Sequence, residues 1–171
     1  SSCSGTNNVP TITPPFAANT SFETSIFAGD AINFDIIASD LDLLQDGTPQ
    51  SVTISSSGLM YGTGYADANN GYITTPCATL NTPSVTSTNN ATMQFNWQTS
   101  CDHLIGATGQ ALDVVPYIFV FKVQDDYCPI PKVQYATVII NVLNKDVLPG
   151  PEITCITGNA AGDIVINWNP I

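Results

Sequence analysis

Carboxylates are the side chains with the most chemistry to offer in this sequence. Fourteen Asp and Glu stand against three lysines, Lys122, Lys132 and Lys145, and there is no arginine. Twelve of the fourteen acids are Asp, and some are closely spaced, as in Asp40-x-Asp42 and Asp125-Asp126. Short carboxylates in turns suit two kinds of chemistry: capping of turn backbone N–H groups, which is the commoner, and ligation of Ca²⁺ by hard oxygen donors. The same imbalance excludes nucleic acid as a partner, because phosphate neutralisation and base readout both depend on Lys and Arg.

Five cysteines, Cys3, Cys77, Cys101, Cys128 and Cys155, lack any C-x-x-C spacing, and His103 is the single histidine. One imidazole does not complete a zinc site, so disulfides in an oxidising, extracellular setting are expected. Asp102-His103 beside abundant serine raises the question of a nucleophile system. No Gly-x-Ser-x-Gly elbow is present, however, and a lone loop histidine is more often a surface residue. Glycoside hydrolysis would need an acid and a base positioned in a cleft, and the two glutamates, Glu23 and Glu152, fall in separate expected domains. The chain is therefore read as non-enzymatic. Tyr61, Tyr65 and Tyr72, in a Gly-rich stretch, could stack on sugar rings, although aromatics in long loops more often form a satellite core; Tyr127 raises the same question. Asn19-Thr20-Ser21 and Asn90-Ala91-Thr92 match the N-glycosylation pattern, which matters only in a eukaryotic source.

Elements that could position these groups are strands. The chain has 171 residues, 43% hydrophobic and 10% charged, enough for one well-buried domain or one domain and part of another. Abundant Thr, Ser, Asn, Gly and Pro with β-branched and aromatic residues is an all-β composition. No long stretch has the period of an amphipathic helix, and no apolar run is long enough to cross a bilayer. The densest pattern runs from Tyr117 to Val142. Tyr117, Phe119, Phe121 and Val123 share one strand face, and Ala136, Val138, Ile140 and Val142 share the face of its partner. Ala31–Ser39 turns Ile32, Phe34, Ile36 and Ala38 inward, Gln50–Ser55 turns Val52 and Ile54 inward, and Ala91–Gln98 does the same with Met93, Phe95 and Trp97. A short strand is expected at Thr11–Thr13, a loop through Phe22 and Glu23, and an irregular connection with one or two short strands between Gly58 and Thr88.

The domain reading is a linker over residues 1–10, a sandwich over 11–146, and the first strands of an incomplete second sandwich over 147–171. No signal peptide is visible; export would rely on a signal outside the chain.

Taken together, Asn7-Asn8-Val9-Pro10, Ala38-x-Asp40-x-Asp42, and Tyr117-x-Phe119-x-Phe121-x-Val123-x-Asp125 followed by Ala136-x-Val138-x-Ile140-x-Val142 resemble a cadherin-like, immunoglobulin-type repeat. Pro151 to Pro170 resembles the start of a fibronectin type III domain, with Trp168 at that family's core Trp. Phe95-x-Trp97-x-x-x-Cys101-x-His103 with Asp125-Asp126-x-Cys128-Pro129 is similar to repeats in very large surface proteins of gliding Bacteroidota, exported by the type 9 secretion system and including gliding-motility adhesins. The resemblance implies a structural or adhesive repeat at the bacterial cell surface, with neighbouring repeats of the same polypeptide as partners and surface glycans or other surface proteins as possible ligands. The alternative is a glycan-binding accessory module of a secreted enzyme or polymer-capture protein.

Immunoglobulin order places the incoming chain, the turn after the second strand and the turn after the sixth at one end. Asn7, Asn8, Asp40, Asp42, Asp125 and Asp126 are expected there, with Ca²⁺ as the cofactor that cadherin-like repeats hold; Asn7-Asn8 lacks the acids of a full cadherin linker. A weaker second site is expected at the other end from Glu23, Asp102 and Asp146 beside Asn144 and Lys145. The same map pairs Cys3 with Cys128 and Cys77 with Cys101, one of three possible pairings, and leaves Cys155 for the second domain.

Overall fold

The structure is a computed structural model that describes residues 7–13, 15–16, 20–61, 76–106, 108–145, 152–158 and 164–169. Its strands are β1 (Thr11–Thr13), β2 (Ser21–Phe27), β3 (Ala31–Ser39), β4 (Ser51–Ser56), β5 (Thr79–Leu80), β6 (Ser84–Thr88), β7 (Asn90–Gln98), β8 (Val114–Asp125), β9 (Val133–Leu143), β10 (Glu152–Gly158) and β11 (Ile164–Asn169). Single 3-10 turns occupy Leu59–Tyr61 and Cys101–Leu104. Among the described residues no helix is long and apolar enough to cross a membrane.

Nine strands form two sheets, ordered β1-β3-β7-β5 and β2-β9-β8-β4-β6, packed as an all-β, immunoglobulin-like sandwich. The periodicity explains the packing. Ile36 and Ala38 of β3, Met93, Phe95 and Trp97 of β7, Val52 and Ile54 of β4, Phe119, Phe121 and Val123 of β8, and Ala136, Val138, Ile140 and Val142 of β9 are all buried in one cluster. Phe95 is the hub of its aromatic part: it stacks on Phe34 at 4.6 Å and meets Phe119 edge-on at 4.8 Å. Each Val, Ile, Met or Phe side chain among them, removed from water, contributes roughly 1.5–3 kcal/mol. The β8–β9 hairpin carries the longest ladder, from Val114 opposite Leu143 to Gln124 opposite Val133.

The stretch through Phe22 and Glu23 is a strand, not the expected loop. β2 runs parallel to β9, from Ser21 beside Thr137 to Phe27 beside Leu143. It offers only Phe22 and Ile26 as apolar inward residues, half-buried, so its own pattern is weak; its partner strand, remote in sequence, fixes it. The connection between Gly58 and Thr88 does contain two short strands, β5 and β6. Asn89 takes a left-handed backbone (φ 63°) between β6 and β7, a conformation Asn tolerates better than most residues. β10 and β11 pair antiparallel with each other, with Ile153 opposite Trp168.

Candidate functional site

The acidic residues are placed by where strands stop. β1 pairs Thr11 with Ser39, so Asn7 and Asn8, just before β1, lie beside Asp40 and Asp42, just after β3. β4 pairs Val52 with Asp125, which brings the start of β4 and the end of β8 to the same end. Asn8 donates to Asp42 through its backbone N–H at 2.5 Å and through Nδ2 at 3.0 Å. Asn7 Nδ2 donates to Asp125 Oδ2 at 3.0 Å, while Asn7 Oδ1 accepts from Gln50 Nε2 at 3.0 Å. Asp125 Oδ1 accepts the backbone N–H groups of Tyr127 and Lys132, at 3.0 and 2.9 Å. Asp126 Oδ1 accepts from Ser51 N at 2.9 Å. Asn7 and Asp125 thus bond to each other, Asn8, Asp42 and Asp40 form a second bonded group, and Asp126 bonds to Ser51 at the same end; the donors are uncharged amide and backbone N–H groups, which stabilise the carboxylates without cancelling their charge.

Two acceptors stand outside these bonds. Asp40 is 5% exposed and Gln50 fully buried, yet Asp40 Oδ2 and Gln50 Oε1 have no hydrogen-bond partner among the described residues. Asp40 Oδ1 accepts from Asp42 N at 2.8 Å, and the Gln50 amide is oriented by its Nε2 bonds to Asn7 Oδ1 and the Leu43 carbonyl. Asn89 ties the pair together, its carbonyl accepting from Asp40 N at 2.8 Å and its N–H donating to the Gln50 carbonyl at 3.0 Å. Burial raises the Asp40 pKa above its usual value, Asp42, Asp125 and Asp126 raise it further, and the Asp42 N–H bond opposes them. Buried acceptors without donors are costly. An oxygen-only donor set with uncompensated negative charge fits a hard cation such as Ca²⁺. Among the described residues, however, no three carboxylate, imidazole or thiolate groups converge into a preformed metal shell. A bound ion would have to draw on Gln50, backbone carbonyls and water alongside the carboxylates.

Gln50 escaped the sequence reading. It occupies the inward register of Val52 and Ile54, so strict alternation already places an amide indoors, and that was the signal available.

Residues of the weaker second site are engaged separately. Glu23 Oε1 accepts from Asn141 Nδ2 at 2.8 Å on the outer face of the β2–β9 pair, Asp102 is exposed in the 3-10 turn after β7, and Asp146 lies outside the described residues. Cys101 and Cys128 are exposed thiols, so the Cys77–Cys101 bridge is not formed, and Cys3, the expected partner of Cys128, lies outside the described residues. The side chain of Cys155 also lies outside them.

His103, expected at the surface, is fully buried. Its ring meets Trp97 at 5.0 Å and Tyr117 at 5.5 Å, both edge-on, and Tyr117 Oη donates to the His103 carbonyl at 2.7 Å. Ser100 N–H donates to Nδ1 at 2.9 Å, and Nδ1 also lies 3.1 Å from Ser100 Oγ and 3.2 Å from the Ser100 carbonyl. Nε2 lies near the Pro76 carbonyl without a hydrogen bond of ordinary geometry; that carbonyl accepts from Trp97 Nε1 at 3.0 Å. Burial lowers the His103 pKa, against smaller raising effects from the Ser100 and Pro76 backbone and from Asp102. This is a neutral core histidine, with neither the exposure nor the partners of a general base.

Tyr61, a candidate sugar contact, packs partly against the core. It is half-buried, sits edge-on to Phe95 at 6.2 Å, packs on Phe119 at 5.5 Å, and shares a 3.0 Å hydrogen bond with Ser56 Oγ; burial drives its pKa up. Tyr127 is buried as well. Tyr65 and Tyr72 lie outside the described residues.

No protein-family model matches the chain, and no curated protein matches it. Among solved structures it is similar to the periplasmic chaperone SfaE, at 12% identity and a TM-score of 0.41, covering 85% of this chain and 66% of that one. It is also similar to AggA, the major subunit of aggregative adherence fimbriae type I from Escherichia coli, at 10% identity and a TM-score of 0.38, covering 82% of this chain and 99% of that one. A family 123 glycoside hydrolase from Clostridium perfringens matches at 14% identity and a TM-score of 0.39, covering 74% of this chain and 23% of the enzyme. These likenesses concern the sandwich fold and assign no activity.

Proposed function

We propose that this chain is a structural and adhesive repeat of a large exported cell-surface protein, a gliding or surface adhesin of the kind its motifs resemble, that extends the polypeptide and carries load along it. The observation supporting this reading is where the chain enters and leaves. Asn7 is bonded to Asp125, at the C-terminal end of β8, whereas Asn144 N–H donates to the carbonyl of Asp113, just before the N-terminal end of β8. β8 has 12 residues, so the two points are roughly 40 Å apart. Modules joined through such termini form a rod.

The strand order suits load. β2, near the start of the sandwich, lies parallel to β9, its last strand. Pulling β2 from its N-terminal end and β9 from its C-terminal end shears the seven-residue ladder, so its hydrogen bonds resist together rather than opening one at a time.

In this reading Ca²⁺ at the acidic end supports the chain where it enters. Asp40 and Gln50 supply the orphaned oxygens, with Asp42, Asp125 and Asp126 close by and Asn8 bonded to Asp42. The experiment for the function is removal of residues 7–146 in frame from the parent protein, followed by surface-protease accessibility and attachment of intact cells. Export of the shortened protein with reduced attachment supports the reading; unchanged attachment contradicts it.

A further inference from the structure

We propose that Cys3 and Cys128 are joined by a disulfide that locks the incoming chain to the β8–β9 turn. Cys128 presents an exposed thiol in that turn and lines an open cleft of about 260 Å³ with Leu44, Gln45, Asp46 and Asp126. Its backbone is fixed on both sides: Gln45 Nε2 donates to the Cys128 carbonyl at 3.1 Å, and Asp125 Oδ1 accepts from Tyr127 N and Lys132 N. Asn7 brings the incoming chain to the same place, because its Nδ2 donates to Asp125 Oδ2 at 3.0 Å, and Asn8 is bonded to Asp42.

Chain length sets the reach. Cys3 lies outside the described residues, four positions before Asn7, and Cys128 stands three positions after Asp125. The Asn7–Asp125 bond holds those two Cα atoms within about 8 Å of each other, and Cys128 is at most about 11 Å further on. Four residues span up to about 14 Å, and a disulfide joins Cα atoms roughly 4.4–6.8 Å apart. Together these exceed the gap, so the two cysteines meet without moving Asn7.

The fold keeps the other three cysteines from this end. β7 runs from Asn90, opposite Ser39 and so next to Asp40, to Gln98, opposite Ala31; it carries Cys101 roughly 30 Å from the acidic end. Cys77 is held at that far end as well, since the carbonyl of Pro76, directly before it, accepts from Trp97 Nε1 at 3.0 Å. Cys155 follows the exit of the chain at Asn144, also at the far end.

An oxidising compartment supplies the oxidant, a disulfide such as oxidised glutathione. The Cys128 thiolate attacks it; one oxidant sulfur joins Cys128 and the other leaves as thiolate. The Cys3 thiolate then displaces the bound half from the Cys128 sulfur. The two cysteines lose two protons and two electrons, and the oxidant's S–S bond becomes two thiols.

The full chain, folded in reduced and oxidised glutathione, alkylated, and cut before its aspartates without reduction, yields fragments that tell the pairings apart. Cys3 falls in residues 1–29, Cys77 and Cys101 in 67–101, Cys128 in 126–145 and Cys155 in 146–162. The expected product is 1–29 linked to 126–145, released by dithiothreitol. An alkylated Cys128, or Cys128 linked to 67–101 or 146–162, overturns the proposal. Melting gives a second readout. Closing a loop of this length adds roughly 10 °C to Tm, so Cys128→Ser, at an exposed position, melts lower than the oxidised wild type by about that amount. A Cys128→Ser chain that melts with the oxidised wild type overturns the proposal as well.

Discussion

Asn7, on the segment leading into β1, donates its side-chain amide to the carboxylate of Asp125, at the end of β8, at 3.0 Å across 118 positions of sequence. This bond fastens the incoming chain to the longest strand of the sandwich. Asp125 Oδ1 is also the acceptor for Tyr127 N and Lys132 N, so one buried carboxylate fixes both the incoming chain and the β8–β9 turn.

Replacing Asp125 by Ala strands three donors at once. Buried or half-buried donors left without acceptors cost about 1–3 kcal/mol each where water cannot replace the partner. Denaturant unfolding of Asp125→Ala is expected to show a loss of about 3 kcal/mol, and Asn7→Ala a loss of about 1 kcal/mol. Equal, small losses for both would show that the turn does not depend on the carboxylate.

Asp40→Asn acts in the opposite direction. With a pKa raised on folding, Asp40 favours the folded state below the unfolded value of 3.8 and loses that contribution as pH rises through the folded pKa. At pH 7 without Ca²⁺ the ionised group is therefore a liability. Asn keeps an acceptor for Asp42 N–H and removes the buried negative charge. Thermal melts in chelator are expected to show a gain of about 1 kcal/mol, together with loss of the rise in Tm that millimolar Ca²⁺ gives the wild type. A destabilised variant, or a wild type insensitive to Ca²⁺, contradicts the cation site.

His103 gives a second pH signature. Its folded pKa lies below the usual 6.5, so its contribution is complete above pH 6.5 and is lost as pH falls through the folded value. Protonation would also remove the acceptor for Ser100 N–H. Stability measured between pH 7 and pH 5 is expected to fall in the wild type and to fall less in His103→Gln, which keeps an acceptor but does not titrate. Parallel profiles would show that His103 does not carry the slope.

Much of this was legible in the sequence, and the parts that were not share a cause. Alternation located β3, β4, β7, β8 and β9 with their inward faces, because each carries enough apolar residues at period two to be decided locally. β2 was lost because Ser21, Glu23 and Ser25 face outward and only Phe22 and Ile26 are apolar and inward; the pairing with β9 fixes it, and no local signal encodes that. Immunoglobulin order put Asn7, Asn8, Asp42 and Asp125 at one end, where the structure pairs Asn8 with Asp42 and Asn7 with Asp125. It did not reveal those two bonds, nor that Gln50 is the buried amide among them. His103 was misread because burial of a loop residue depends on Trp97 and Tyr117 arriving from two different strands.

Force spectroscopy with the chain held at residues 7 and 145 tests the load-bearing account most directly. Thr137 N–H bonds to the Thr20 carbonyl and Ala28 N–H to the Leu143 carbonyl, and the alternation between these two bonds assigns Thr24 N–H to β9. Thr24→Pro removes that rung of the sheared ladder, whereas Val85→Ala weakens β6, which lies off the load path. The account predicts a marked drop in unfolding force for Thr24→Pro and little change for Val85→Ala. Equal forces for wild type and Thr24→Pro, or equal drops for the two variants, would contradict it.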